Sequence, residues 1–201
     1  MIKIIVFDLG NVLINFKPKE YLENKGYSEK LKEKILADIF YGPEWLALDN
    51  GDITLTQAIE SIDKRSSLNK NDIEKIFDLR VDLLFPLENN AKILPKLKQE
   101  GYKLYYLSNF TSDIFPVIQS SNLFFRLFDG GIISAHVRVS KPDEKIYRLL
   151  IDKYSLIAGE SLFIDDLEPN VKTAERIGMK GLHTNGSEDI EPQLRKILGL
   201  L

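Results

Sequence analysis

Short runs of consecutive apolar residues recur along the chain, and stretches with helical periodicity separate most of them. A continuous apolar run is typical of a strand that is buried on both faces of a parallel sheet. Five such runs predict strands, the last being the weakest: Ile2–Phe7, Lys103–Leu107, Gly131–Ser134, Ser161–Ile164 and Gly181–Thr184. Strands that alternate with helices predict an α/β fold, a doubly wound parallel sheet covered by helices on both faces.

Three segments between these strands carry apolar residues at helical spacing together with signals for a helix start or end. Asn90–Glu100 is followed by Gly101, and glycine is favoured just beyond a helix C-terminus. Pro142–Tyr154 and Pro169–Ile177 begin with proline, which is favoured at the first helical position. We expect these three helices to cover the sheet.

Residues 16–87 break this alternation. They contain four helical patterns and no convincing strand: Tyr21–Lys25, Glu29–Phe40, Leu55–Arg65 and Asn71–Leu84. A segment inserted after the first strand lies at the edge where open α/β sheets bind their ligands. We therefore predict a discontinuous core of residues 1–15 and 88–201, with residues 16–87 forming a helical cap over that edge. The alternative is a separate helical domain with no role at the sheet edge.

Composition narrows the class of protein. The 201 residues suit one domain with an insertion, and a hydrophobic fraction of 44% is enough for a sizeable core. The chain has no cysteine, which excludes disulfides and thiolate chemistry. A net charge of -3 without a long basic run argues against nucleic acid as a partner. No apolar run approaches the ~20 residues of a membrane span, and no signal peptide is visible, which predicts a cytoplasmic protein without a membrane partner.

Polar side chains follow several of the predicted strands. Asp8 follows the first strand, Ser108–Asn109 the second and Asp165–Asp166 the fourth, and Lys141 opens the helix after the third. Because the carboxyl ends of parallel strands share one edge of a sheet, we expect these side chains to converge. Acids on two strands can hold Mg²⁺, and a lysine and a hydroxyl can bind phosphoryl oxygens. An aspartate there can be phosphorylated and released by water, so the pattern predicts phosphoryl transfer.

Four motifs make the chain resemble the haloacid dehalogenase (HAD) superfamily: FDLGNVL at Asp8, YLSN at Ser108–Asn109, SKPD at Lys141, and FIDDLEPNVKTAERIGM from Phe163 to Met179. They follow one another in the expected order and span nearly the whole chain. The resemblance implies a Rossmann-like core with an inserted α-helical cap. It is closest to the branch with bacterial sugar phosphatases, such as glucose-1-phosphate phosphatase, and the N-terminal phosphatase domain of soluble epoxide hydrolase.

The resemblance also implies a metal site. Asp8 would be the nucleophile and a ligand of Mg²⁺, and the backbone carbonyl of Gly10 would be a second ligand. Asp166 would coordinate the metal. Asp165 beside it would support the metal directly, through Lys141 or through water. Asn170, four residues after Asp166, stands where relatives often have an acid that supports the metal through water.

The remaining implied roles concern the substrate. Ser108 and Asn109 would bind the transferring phosphoryl group, while Lys141 would neutralise it and orient the nucleophile. The predicted function is a Mg²⁺-dependent phosphatase acting on a small phosphorylated metabolite, with sugar phosphates among the candidates, through an aspartyl-phosphate. In the cap, Trp45 and Asp49 lie in EWLALDNGDIT, which predicts a substrate-facing turn or, equally, a tryptophan packed between cap helices. For the oligomeric state, a monomer and a dimer are both compatible with the sequence.

Gly10 departs from the common pattern. Most phosphatases of the superfamily have Asp-x-Asp in the first motif, whereas this chain has Asp8-Leu9-Gly10. The second aspartate usually protonates the leaving oxygen and then activates water, and such help is worth ~10²–10⁴-fold. Three alternatives stay open: the enzyme turns over slowly, another group or water transfers the proton, or the protein binds phosphate or regulates without turnover. An L-2-haloacid dehalogenase is a further alternative, although it would not need the acids Asp165 and Asp166.

Overall fold

The computed structural model describes residues 1–186 and 189–199. The predicted core range of residues 88–201 thus includes four positions, 187, 188, 200 and 201, that lie outside the described residues. The described chain has a five-stranded sheet, parallel throughout, in the order β3-β2-β1-β4-β5. The strands are β1 Ile4–Phe7, β2 Lys103–Ser108, β3 Gly130–Ile133, β4 Ser161–Asp165 and β5 Lys180–His183. All five predicted strands are confirmed, with small differences in their bounds.

The order of the strands reverses at β1. From this central strand the chain adds β2 and β3 on one side, and later β4 and β5 on the other. Phe7, the last residue of β1, pairs with Tyr106 of β2 and Ile164 of β4. In open α/β sheets ligands bind outside the carboxyl ends of the strands at this point of reversal. Asp8 and Asp165 therefore stand on either side of the position where a ligand is expected.

Residues 16–87 form six helices between β1 and β2, and we call this segment the helical insertion. Its helices are α1 Pro18–Asn24, α2 Glu29–Ile35, α3 Pro43–Asp49, α4 Leu55–Arg65, α5 Lys70–Asp78 and α6 Arg80–Leu83. A π-helical turn, Leu36–Phe40, extends α2. Ile39, Ile62 and Phe77 belong to a buried cluster made by the insertion itself. The predicted division into core and cap remains a prediction, which this separate cluster supports.

The two connections of the helical insertion run side by side. The backbone N–H of Asn15 donates to the carbonyl of Phe85 at 2.8 Å, and that of Leu87 donates to Leu13 at 2.8 Å. The Asn15 side chain adds a 3.1 Å hydrogen bond to the carbonyl of Leu83. Backbone groups of the two connections thus satisfy one another. The insertion therefore leaves and re-enters the core at one place, next to the end of β1.

Helices cover both faces of the sheet, because successive side chains of a strand point to opposite faces. Ile5 and Phe7 lie in one buried cluster, and Ile4 and Val6 lie in the other. The helices outside the insertion are α7 Glu88–Ala91, α8 Leu94–Gln99, α9 Phe115–Ser121, α10 Ser134–Val137, α11 Glu144–Tyr154, α12 Glu168–Arg176 and α13 Glu191–Leu198. Helices α8, α9 and α13 contribute to the first cluster, and α11 and α12 to the second.

Some predicted helices need correction. Pro142 does not start a helix: α11 begins at Glu144, because the Asp143 carboxylate caps it by accepting from the Lys145 N–H at 2.9 Å. Asn90–Glu100 forms parts of two short helices, α7 and α8, instead of one. Helices α3, α9, α10 and α13 were not predicted. Within residues 1–186 and 189–199, every helix is too short or too polar to cross a membrane.

Candidate active site

Asp8 is the first residue beyond β1, and its carboxylate is held in one orientation. The residue is buried, and Oδ1 accepts a 2.7 Å hydrogen bond from the backbone N–H of Leu9. The same oxygen lies 2.8 Å from Nζ of Lys141. Burial raises the pKa of Asp8 to about 7, although the attraction of Lys141 opposes this shift. The carboxylate is thus fixed, poorly solvated and in contact with a cation, as a nucleophile needs to be.

Lys141 connects two carboxylates at the sheet edge. Its side chain is 1% exposed, and Nζ lies 2.6 Å from Oδ2 of Asp165 in addition to its contact with Asp8. Burial lowers the pKa of Lys141, but the two carboxylates outweigh this effect and raise it above its usual value. The lysine is therefore a permanent positive charge beside the candidate nucleophile.

Asn109 holds the main chain of this lysine. Its Oδ1 accepts from the backbone N–H of Lys141 at 2.8 Å, and its Nδ2 donates to the carbonyl of Lys141 at 2.9 Å. Both polar atoms of the amide are therefore used in positioning Lys141, and its predicted contact with a phosphoryl group stays a prediction. Ser108, the last residue of β2, is buried at the same edge, where it pairs with Ile133 of β3.

Three carboxylates come together at this edge. Asp8, Asp165 and Asp166 each offer an oxygen, and these atoms lie within 4.8 Å of one another. Burial raises the pKa of Asp166, and the neighbouring charge of Asp165 adds to the shift. Close carboxylates with one lysine carry excess negative charge, and carboxylate oxygens are the ligands that Mg²⁺ prefers. The donor set therefore fits a hard divalent cation.

The two neighbouring aspartates have different surroundings. Asp165 is fully buried, and its Oδ2 faces Lys141. Its Oδ1 accepts hydrogen bonds from Asn170 Nδ2 at 3.0 Å and from the Leu167 N–H at 2.8 Å. Asn170 is thus brought to Asp165 and fixes its orientation. Asp166 is less buried, and its Oδ2 accepts from Asn11 Nδ2 at 3.1 Å, so its carboxylate is more accessible to a ligand than that of Asp165. Of the alternatives for Asp165, these contacts favour action through the lysine.

A cavity of about 70 Å³ lies between the sheet edge and the helical insertion. The core contributes Gly10 and Asn109, and the insertion contributes Trp45, Asp49 and Arg80. The rest of the wall is mainly apolar and includes Phe16, Leu84, Phe110 and Ile114. Both predicted cap residues, Trp45 and Asp49, thus face the same space as Gly10.

Trp45 also packs inside the helical insertion. Its ring centroid lies 5.0 Å from that of Phe40, 5.6 Å from Phe16 and 6.1 Å from Phe77. Aromatic contacts of this length stabilise a core. The two interpretations of Trp45 are therefore compatible, since one side of the ring packs between helices and another lines the cavity.

A family model described as a haloacid dehalogenase-like hydrolase matches residues 2–178. The chain belongs to the HAD-like hydrolases. It is 26% identical over 197 residues to the sesquiterpene phosphatase astK of Aspergillus oryzae (strain ATCC 42149 / RIB 40), which covers 98% of this chain and 97% of astK. The predicted family and the predicted fold class are thereby confirmed.

Solved structures of other HAD proteins are similar to this HAD-like hydrolase. HAD family enzyme bt-2542 of Bacteroides thetaiotaomicron, in complex with magnesium and inorganic phosphate, has a TM-score of 0.74 at 25% identity, covering 97% of this chain and 100% of bt-2542. An L-2-haloacid dehalogenase of Xanthobacter autotrophicus has a TM-score of 0.69 at 18% identity, covering 99% and 83%. The second likeness shows a shared fold alone.

The structure of this HAD-like hydrolase adds site residues that the sequence did not single out. Asn11 has a left-handed φ of 54°, and its Nδ2 donates to Oδ2 of Asp166 at 3.1 Å. An asparagine after glycine in FDLGNVL is a usable signal, because asparagine tolerates this conformation. Arg80 is 4% exposed and pairs with Asp113 of the core at 2.6 Å. Nothing in the local sequence pointed to Arg80, because its position depends on how the insertion packs on the core.

Proposed function

We propose that this HAD-like hydrolase is a Mg²⁺-dependent phosphatase that hydrolyses a small phosphorylated metabolite through an aspartyl-phosphate on Asp8. The observation that carries the proposal is the position of the Asp8 carboxylate, 2.8 Å from Lys141 and within 4.8 Å of carboxylate oxygens of Asp165 and Asp166. The similarity to a phosphatase, astK, and to bt-2542 with its magnesium and phosphate supports the same chemistry.

In this mechanism Asp8 attacks phosphorus and the ester P–O bond breaks, and water then attacks phosphorus to release phosphate and restore the carboxylate. Lys141 neutralises charge on the phosphoryl oxygens and keeps Asp8 in position. Asn109 and Asp165 hold Lys141 in place. Bound Mg²⁺, held by Asp8, Asp166 and the carbonyl of Gly10, would reduce the repulsion between a phosphate dianion and the carboxylate.

We further propose that the helical insertion acts as a cap that selects the leaving group. Its residues Trp45, Asp49 and Arg80 build one side of the cavity that Gly10 and Asn109 close from the core. The mainly apolar wall supports a leaving group with apolar surface better than one whose hydroxyls each need a partner. Sugar phosphates therefore remain candidates, and aryl and alkyl phosphates are the classes to compare with them.

Phosphate release from an aryl phosphate should require added Mg²⁺. Excess chelator should abolish the activity, and Mg²⁺ should restore it, because the repulsion between phosphate and carboxylates returns without a cation.

A panel of sugar, alkyl and aryl phosphates, assayed for phosphate release at saturating Mg²⁺, would rank the leaving groups. Chelator-resistant activity on 2-chloropropionate would instead favour a dehalogenase. Binding of Mg²⁺ and phosphate without turnover of any panel member would favour a binding or regulatory protein.

Replacing Asn11 with glycine should weaken the binding of Mg²⁺. The variant removes the hydrogen bond to Asp166, together with the one that Asn11 Oδ1 accepts from the Phe16 N–H at 3.0 Å, but keeps a residue that tolerates the left-handed φ of 54°. Loss of a group that orients a metal ligand typically costs ~10–100-fold in metal affinity. We expect the Mg²⁺ concentration for half-maximal activity to rise by that factor, with kcat largely recovered at saturating Mg²⁺.

The matched control for this variant is Ser155→Gly. Ser155 has a similar φ of 51° but lies at the C-terminus of α11, away from the cavity. Its replacement should leave the Mg²⁺ titration unchanged. An unchanged titration for Asn11→Gly as well would show that the contact between Asn11 and Asp166 does not affect metal binding.

A further inference from the structure

Gly10, two residues after the candidate nucleophile, has free space where a side chain would stand. A Cβ atom built on Gly10 has no neighbouring heavy atom within 4 Å, and its φ lies outside the left-handed region. Gly10 also lines the cavity between the sheet edge and the helical insertion. The cavity is therefore open at Gly10, two residues after Asp8, but Gly10 itself offers a leaving group no proton.

Asp49 faces the same cavity from the helical insertion. It ends α3, and its carbonyl accepts a hydrogen bond from Ser134 Oγ, which in turn accepts from the backbone N–H of Phe110 at 2.9 Å. The next residue, Asn50, accepts a hydrogen bond from Ser140. Two contacts to the core, one through the Asp49 carbonyl and one through the Asn50 side chain, thus hold this end of α3 relative to the sheet edge. A side chain anchored in this way can face a bound substrate in a defined position.

The surroundings of Asp49 keep its carboxyl group partly protonated near neutral pH. Burial raises its pKa to about 7, against the attraction of Arg80, and the negative charges of Asp8 and Asp113 add to the increase. A hydrogen bond from the side chain of Trp45 acts in the opposite direction. A carboxyl group whose pKa lies near the operating pH can both give and take a proton, as a general acid or base must.

We propose that Asp49 is the catalytic residue that protonates the leaving oxygen and later takes a proton from water, the task that Gly10 cannot perform. This inference rests on the proposed phosphatase function. As Asp8 forms its bond to phosphorus and the ester P–O bond breaks, the proton of the Asp49 carboxyl passes to the leaving oxygen. When water attacks the aspartyl-phosphate, its proton passes to the Asp49 carboxylate, the bond between phosphorus and Asp8 breaks, and phosphate leaves.

The test compares leaving groups in wild type and Asp49→Asn. For an alkyl phosphate, whose leaving oxygen needs a proton, kcat/KM should fall by ~10²–10⁴-fold. For p-nitrophenyl phosphate, whose leaving group departs as an anion, kcat/KM should fall by less than ~10-fold, since proton donation contributes little there. The variant should also show a burst of nitrophenol, because the second step still lacks its base. An equal loss for both substrates without a burst would overturn the proposal, because a structural role affects both alike.

A rescue experiment uses the space at Gly10. In the Asp49→Asn background, Gly10→Asp should restore at least ~10-fold of the lost alkyl phosphate activity, whereas Gly10→Asn, with the same size and no acidic proton, should not. Asp52→Asn, which changes an exposed carboxylate three positions away, is the matched control and should behave like wild type. Equal activity of the Gly10→Asp and Gly10→Asn double variants would count against a proton-transfer role.

The two proposals fail in different ways. If wild type releases no phosphate from p-nitrophenyl phosphate with Mg²⁺, the proposed function fails. If wild type is active and Asp49→Asn keeps the wild-type ratio between alkyl and aryl substrates, only the role of Asp49 fails. Thermal unfolding of Asp49→Asn, compared with wild type, checks that the variant is folded.

Discussion

The Asp8→Asn variant is expected to lose ~10⁴-fold or more of the phosphatase activity, the scale found when a nucleophile is removed from other enzymes. The amide that replaces the carboxylate cannot form the phosphorylated intermediate. The surrounding contacts should largely survive, because the side chain keeps its size and an oxygen that can accept from Leu9 and Lys141. Steady-state release of phosphate from an aryl phosphate at saturating Mg²⁺ measures the loss.

The same substitution should not destabilise the metal-free protein at alkaline pH. The pKa of Asp8 is raised from 3.8 to about 7 in the folded state, mainly by burial. A raised pKa means that the stability present at low pH is lost as the pH rises through this window. Asparagine does not titrate, so the free energy of unfolding of Asp8→Asn should fall less between pH 5 and pH 8 than that of wild type.

These two measurements separate chemistry from structure. Urea unfolding in chelator, followed at both pH values, reports the stability, and the assay with Mg²⁺ reports the chemistry. Wild type trapped during turnover should carry phosphate on the peptide that contains Asp8, and the variant should not. Wild-type turnover by Asp8→Asn would show that another group attacks phosphorus.

The framework of the site was predictable because it follows from the strands. The continuous apolar runs placed Asp8 at the end of β1 and Asp165 at the end of β4, and parallel strands bring these ends together. The convergence of Lys141 on both carboxylates agrees with that expectation. A contact of this kind needs only the topology of the sheet and the position of a residue along a strand.

The individual roles of neighbouring site residues were less predictable, because they depend on side-chain direction and on contacts between distant segments. Sequence alone left open how Asp165 acts, and its burial against Lys141 and Asn170 distinguishes it from the more accessible Asp166. The amide of Asn109 turns toward the backbone of Lys141. A motif names the residue types at a site, but it does not say which polar atom each partner uses.

The packing of the helical insertion on the core was harder to predict than most of its helices. Helix α3 has only seven residues, and its apolar residues, Trp45–Leu48, are consecutive and show no helical period. Arg80 pairs with Asp113, 33 positions further along the chain, so local spacing carries no sign of the contact. Contacts between an insertion and a core form through tertiary packing, which a local pattern does not encode.

The Lys141→Met variant is expected to lose both activity and stability. Removing one preorganised charge that faces the reacting group typically costs ~10²–10³-fold in kcat. The lysine side chain is 1% exposed and neutralises Asp8 and Asp165, so its loss leaves buried carboxylates without their cation. Breaking a buried ion pair in this way costs about 3–5 kcal/mol in the free energy of unfolding. Urea unfolding in chelator measures this change, and Lys3→Met is the matched control.

The control separates a buried charge from an exposed one. Lys3 also contacts a carboxylate, that of Glu160 at 2.6 Å, but its side chain is 62% exposed. Surface ion pairs are worth ~0–1 kcal/mol, so Lys3→Met should change the free energy of unfolding by no more than that and leave activity intact. Similar losses for the two variants would contradict a special role of Lys141.

The loss of stability in Lys141→Met should depend on pH. Lys141 lowers the pKa of Asp8, so its removal lets burial and Asp165 raise that pKa further. A group with a raised folded pKa retains its stability at low pH and loses it as the pH rises, so the deficit relative to wild type should be larger at pH 8 than at pH 5. Adding Asp8→Asn should recover part of the deficit at pH 8, because one of the two uncompensated carboxylates is then gone. A deficit that is independent of pH and unaffected by Asp8→Asn would mean that Lys141 acts through its packing and not through its charge.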